Sequence, residues 1–121
     1  MHPDSKDMAR LWDMVDSARA AIGYVEGMNF AEYCSDRKTL NAVERCLEIV
    51  GEAARHVSVE ARNCLPEILW SSIVGLRNVI AHDYGEVLNE KVWIVCRERL
   101  PEPVAHLRIV DQIQPPHVED S

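Results

Sequence analysis

Arg77-Asn78-Val79-Ile80-Ala81-His82-Asp83-Tyr84 sets a permanent cation, an amide, an imidazole and a phenol within about two turns of a helical apolar pattern. Histidine is the side chain that moves a proton near neutral pH. Arginine cannot act as a base there, but its planar fork stabilises charge on phosphoryl oxygens. Asn78 is placed to orient the imidazole or to donate to a non-bridging oxygen. Together these groups suit cleavage of RNA without a metal. His82 would help activate a ribose 2′-OH and Arg77 would hold the pentacoordinate phosphorane. The need for that hydroxyl would restrict the substrate to RNA.

The spacing constrains how these groups can meet. An apolar stripe runs Trp70, Ile73, Arg77, Ile80, Tyr84 at steps of three and four, so Arg77 is predicted in the packing seam with Tyr84 nearly eclipsing it. Asn78 and His82, four apart, share the adjacent face. Arg77 and His82 are five apart, about 140° around an ideal helix. They converge only if the arginine swings over, the helix end loosens near His82, or a second subunit completes the site. Gly85 reads as the terminator that places His82 and Tyr84 in the last turn. A structural alternative stands beside this one: Arg77 bridges to Glu44 or Glu52, His82 is a helix-end residue and Tyr84 plugs the core.

The elements that must carry this segment are helical. The chain has 121 residues, one Phe, a hydrophobic share of 47% and a charged share of 27%, and it is rich in Ala, Leu, Glu and Arg. That is one all-α domain with a modest core. A net charge of −7 argues against polyanion binding over the whole surface and leaves room for a local basic groove. Cys34, Cys46, Cys64 and Cys96 form no CxxC pair and have no histidine at metal-ligand spacing. Glu44, Glu48 and Glu52 form an i,i+4 ladder, read with Asp13 and Asp16 as solvated surface since no Glu-x-x-His accompanies it. No window approaches eighteen apolar residues and the first residues lack an apolar leader, so a reduced, cytoplasmic protein away from membranes is expected.

A first helix, capped by Ser5, carries Met8, Leu11, Trp12, Val15, Ala18, Ile22 and Val25. Residues 30–33 form a short helical turn or ordered loop. A second helix from Ser35 or Asp36 carries Leu40, Val43, Leu47, Val50, Ala54 and Val57, a bundle seam. Residues 58–64 form a short helical turn or connection, with His56 at a helix end, Pro66 opens a third helix over 67–84, and a fourth starts at 88–90. Pro101 and Pro103 kink this last helix, which resumes over 104–113. The domain spans 1–113 and a flexible tail 114–121. A second apolar strip, Ala42, Cys46 and Ile49, calls for another partner, most economically a homodimer that brings two copies of residues 77–84 together.

Arg77 and His82 form R-x4-H, with Asn78 after the arginine, and Tyr84 extends it to R-x4-H-x-Y. With the segments 47–54 and 66–70 in order, the chain resembles over about residues 4–108 the HepT-like toxins of HEPN/MNT toxin–antitoxin pairs. The resemblance implies a HEPN-type up-and-down four-helix bundle that dimerises, with the two motifs facing a shared cleft, and RNA cleavage without a cofactor. It implies a cognate minimal nucleotidyltransferase antitoxin that uses ATP to transfer AMP onto the motif tyrosine, here Tyr84. Such a group would add bulk and negative charge beside Arg77. The competing expectation is a non-catalytic helical partner of a nucleotidyltransferase, favoured by the acidic net charge and disfavoured by the intact Arg77/His82 pair.

Overall fold

Two long amphipathic helices set the frame of the computed structural model, which describes residues 5–106. Helix α1 (Ser5–Val25) and helix α3 (Arg37–Arg55) pack along each other over most of their length. Their seam is the pattern read above: Leu11, Val15, Ala18 and Val25 on α1 meet Val43, Leu47, Val50 and Ala54 on α3, all buried. Truncating one of these, such as Leu47 with no exposed surface, would cost about 2–5 kcal/mol.

Local signals explain the joints. Helix α2 (Phe30–Ser35) starts at a capping box in which Asn29 and Glu32 satisfy each other's backbone amides. Its Phe30 and Tyr33 rings stack against Trp93 at 5.9 and 5.3 Å. Asp36 caps α3 by accepting from the Thr39 amide at 3.1 Å. Ser58 caps the short helix α4 (Val59–Asn63), and its own amide and hydroxyl donate to the buried Asp7 carboxylate at 2.8 and 2.6 Å. Ser5 is the first described helical residue, not a cap lying outside the helix.

The third and fourth helices depart from the expected boundaries. Pro66 opens only a turn, and the helix begins at Trp70 as α5 (Trp70–Val74), then α6 (Leu76–His82). The two form a nearly continuous run jointed at Gly75, whose right-handed backbone keeps the Gly75 N to Ser71 O and Val79 N to Gly75 O bonds at 3.0 and 3.2 Å. Helix α7 (Gly85–Ile94) begins at Gly85, which does not merely end the helix before it. Gly85 has φ +57°, the left-handed turn that redirects the chain from one helix into the next. Helix α7 passes through a π-helical turn (Val95–Arg99) into α8 (Pro101–His106), with Pro101 at the first position of the new helix. The described residues thus form an all-α bundle of α1, α3, α5–α6 and α7–α8 with accessory α2 and α4. The remainder of the segment expected to continue over 104–113, and the tail 114–121, lie outside the described residues. No described helix is long and apolar enough to cross a membrane.

Candidate functional site

Arg77 is not in the seam. The buried line of α5–α6 keeps Ile73 of the expected stripe but continues through Leu76, one position before Arg77, with Trp70, Val79 and Ile80 half-buried. One residue is about 100° around a helix, enough to move Arg77 from the core to its edge. The Arg77 stem instead lies across α3 at Gly51, where an added Cβ would sit 3.2 Å from Arg77 Cγ and 3.2 Å from the Ile73 carbonyl. A Cβ there would make tighter than ordinary contacts, so α6 or the Arg77 stem would have to give by a few tenths of an ångström. The Arg77 Nη1 donates to Glu52 Oε1 at 2.5 Å, and the Arg77 side chain is 48% exposed. The ion pair of the structural alternative therefore exists and its partner is Glu52, but it lies at the surface and is not buried. The second Glu52 oxygen stands 2.9 Å from His56 Nε2. The hydrogen bond from His56, then the charge of Arg77, hold the Glu52 carboxyl below its ordinary value. Glu44 moves the opposite way, raised first by burial and then by Glu48.

The other motif residues stand clear of the core. Asn78 and His82 are exposed on α6, and among the described residues neither side chain takes a hydrogen bond or ion pair. Helix α6 stays regular to its end, where the Asp83 amide donates to the Val79 carbonyl at 2.9 Å. Two of the three routes to convergence are thereby closed within one chain. The arginine swings towards α3, and the helix does not loosen at His82. Tyr84 corrects the helical reading more sharply: Asp83 and Tyr84 are extended (ψ 154° and 164°), so Tyr84 is off the helix and does not eclipse Arg77. It is 80% exposed, whereas Tyr33 is sealed at 0% with its phenol pushed above the ordinary value mainly by burial. Lys91 on α7 holds this link by an ion pair to Asp83 at 2.8 Å.

Two depressions flank the motif helix. A mixed-charge hollow of about 240 Å³ between α1, α3 and α6 is lined by Arg10, Asp13, Arg45, Glu48, Glu52 and Arg77. Arg10 and Arg45 escaped the sequence reading because they lie 32 or more positions from Arg77, and only the α1/α3 packing brings them there. Among the described residues neither takes an ion-pair partner. A larger apolar groove of about 450 Å³ lies on the other side, between α5–α6 and α7, walled by Ile73, Val79, Ile80, Val92 and Val95. The cysteines are free thiols; Cys96 is buried, which pushes it up to about 12, and burial also raises Cys46.

Comparison with known proteins gives the family of the chain. The family model described as "Ribonuclease HepT-like" matches residues 14–109. "Putative RNase MJ1380" of Methanocaldococcus jannaschii is 31% identical over 84% of this chain and 94% of its own length. "Probable ribonuclease HepT" of Thermococcus cleftensis is 29% identical over 75% of this chain and 83% of its own. No solved structure matches. A family model that covers most of the chain, with relatives bearing ribonuclease names over most of their own lengths, shows that the chain belongs to the HepT-like ribonuclease family and is an endoribonuclease.

Proposed function

We propose that the chain cleaves RNA without a metal through Arg77, His82 and Asn78, that a second copy completes the site, and that AMP added to Tyr84 switches it off. The observation that carries this reading is that α6 exposes Asn78 and His82, which take no partner among the described residues, while the Arg77 guanidinium commits one nitrogen to Glu52. Exposed donors and an imidazole on one helix, not taken up by the described fold, are available to the charged oxygens of a phosphodiester. His82 takes the proton of a ribose 2′-OH, the 2′-oxygen attacks the adjacent phosphorus, the P–O5′ bond breaks, and the 5′-oxygen receives a proton that the imidazolium returns through solvent. The free guanidinium edge of Arg77 and the amide of Asn78 bear the charge on the non-bridging oxygens. The product ends are a 2′,3′-cyclic phosphate and a 5′-hydroxyl.

On one regular helix Arg77 and His82 point apart, so the imidazole opposite a given Arg77 comes from the second subunit. The apolar groove beside α6 and the half-buried Val79 and Ile80 supply surface for that contact. Arg10 and Arg45, lacking ion-pair partners among the described residues, receive flanking phosphates. The cognate partner is a minimal nucleotidyltransferase that binds ATP; the Tyr84 hydroxyl attacks its α-phosphorus and pyrophosphate leaves. The exposure of Tyr84 in extended backbone suits entry into another enzyme's site.

The test is cleavage of a labelled RNA by the purified chain with and without EDTA, alongside light scattering. Chelator-insensitive cleavage by a species of dimer mass is expected. Cleavage that vanishes with EDTA, or a monomer at micromolar concentration, overturns the mechanism or the composite site respectively.

A further inference from the structure

Glu52, the ion-pair partner of Arg77, lies outside the Arg-Asn-His-Tyr motif, and three observations give it a role. The first is the crossing at Gly51, which fixes where the Arg77 stem leaves α6. The second is the Nη1 to Oε1 bond, which fixes where the guanidinium ends. The third is His56, the C-cap residue of α3, which occupies the other Glu52 oxygen at 2.9 Å and so limits rotation of the carboxylate. A half-exposed arginine ordinarily samples many rotamers, and fixing its side chain costs conformational entropy. Here that ordering is built into the resting fold.

We infer that Glu52, steadied by His56, is a positioning residue that fixes the Arg77 guanidinium in the orientation in which its remaining nitrogens face a phosphodiester. The inference rests on the proposed cleavage reading for its consequence, though not for its geometry. Arginine has five donors in a rigid fork, so a carboxylate at one nitrogen leaves the opposite edge for bidentate contact with phosphoryl oxygens. Two anions on one guanidinium do not exclude each other when they occupy different edges. The arrangement is the one by which a supporting layer of hydrogen bonds holds a functional group within a fraction of an ångström of its working position. Arg55, one residue before His56, is a further cation that acts on Glu52 and keeps it ionised.

The experiment pairs spectroscopy with kinetics on the full chain. Nitrogen-15 relaxation of the Arg77 Nε–H, read without RNA, should show an ordered side chain in the wild type and in a thermally stable Glu52→Gln variant a mobile one. His56→Ala should loosen it less. In cleavage assays Glu52→Gln should lower kcat about tenfold to a hundredfold, the usual cost of misplacing a working group by about an ångström, with KM little changed. In an Arg77→Ala background the same substitution should have no further effect, because Glu52 acts only through Arg77. Unchanged Arg77 dynamics in Glu52→Gln overturn the inference, as does an equal loss of rate in both backgrounds. A gain in rate would make Glu52 a brake and overturn it too. Wild-type protein that cleaves no RNA would sink the cleavage reading, while the relaxation data still decide whether Glu52 fixes Arg77.

Discussion

Two arginines reach for the C-terminal half of α3, and their surroundings could hardly differ more. Arg62 on α4 spends its donors on the carbonyls of Val57, Ala54 and Arg55 at 3.2, 2.9 and 3.4 Å. Its guanidinium lies 5.5 Å from the Trp70 ring centre, and that indole in turn donates to the Leu65 carbonyl. It closes the helix end with a cation on orphan carbonyls. Nearby, Asp7 ties α1 to the Ser58 cap, so this end of the bundle answers its own polar groups. Arg77, one helix over, makes a single ion pair and stands beside an amide, an imidazole and a phenol that make none among the described residues. A fold that satisfies the polar groups around Arg62 and, among the described residues, leaves those of α6 open separates structure from chemistry on neighbouring faces.

The largest expected effect breaks the open region. Arg77→Ala and His82→Ala should each lower the cleavage rate about a hundredfold or more, the size of a lost oxyanion donor or general base. Their melting temperatures should stay near the wild type, since both side chains are exposed. Arg77→Lys should recover little, because a point charge does not reproduce the fork. Full activity in either alanine variant would erase the contrast with Arg62.

The closed region should fail the other way. Arg62→Ala leaves α3 carbonyls uncapped and should cost about 1–3 kcal/mol in denaturant unfolding. The folded fraction should cleave RNA at the wild-type rate. A loss of rate without a loss of stability would move Arg62 into the site.

Smaller effects sharpen the picture. Arg10→Ala and Arg45→Ala should weaken RNA binding uniformly across sequences, each lowering the slope of log affinity against log salt by about 1. Unaltered slopes would show that the hollow between α1, α3 and α6 meets no phosphate. The smallest effect on the chain itself belongs to Tyr84→Phe, an exposed change within about 0.5 kcal/mol in stability. That variant should keep cleavage and escape the partner transferase, whereas the wild type incubated with it and ATP should gain AMP mass at Tyr84. Abolished cleavage in a folded Tyr84→Phe would make the phenol catalytic, and AMP mapped to another residue would remove the switch.

Much of the bundle was legible because local signals and periodicity agreed. The α1 and α3 stripes lie buried where the spacing put them, and Asp36 and Ser58 cap the helices they precede. The third helix was less legible. After Ile73 the spacing admits either Leu76 or Arg77, and the stripe through Trp70 and Tyr84 puts Arg77 in the seam where Leu76 lies. Periodicity could not choose, since Leu76, Val79 and Ile80 make a stripe as apolar as Ile73 and Ile80. The packing chose, because Gly51 on α3 opened a slot for the Arg77 stem. Tyr84 was misplaced for a related reason: Gly85 was read as a stop, and the chain turns extended at Asp83 before the glycine is reached.

What the sequence by itself determined was therefore the class of the fold, its main seam and the identity of the chemical groups, since these depend on residue types and near-neighbour spacing. The tertiary structure alone decided what each group faces. Glu52 rather than Glu44 meets Arg77, because the crossing of α3 with α6 is set at Gly51, one residue from Glu52. Arg10 and Arg45 join the same hollow because α1 and α3 lie side by side. Contacts of this kind follow from how whole helix faces pack against each other, a long-range condition that no spacing within a single helix encodes.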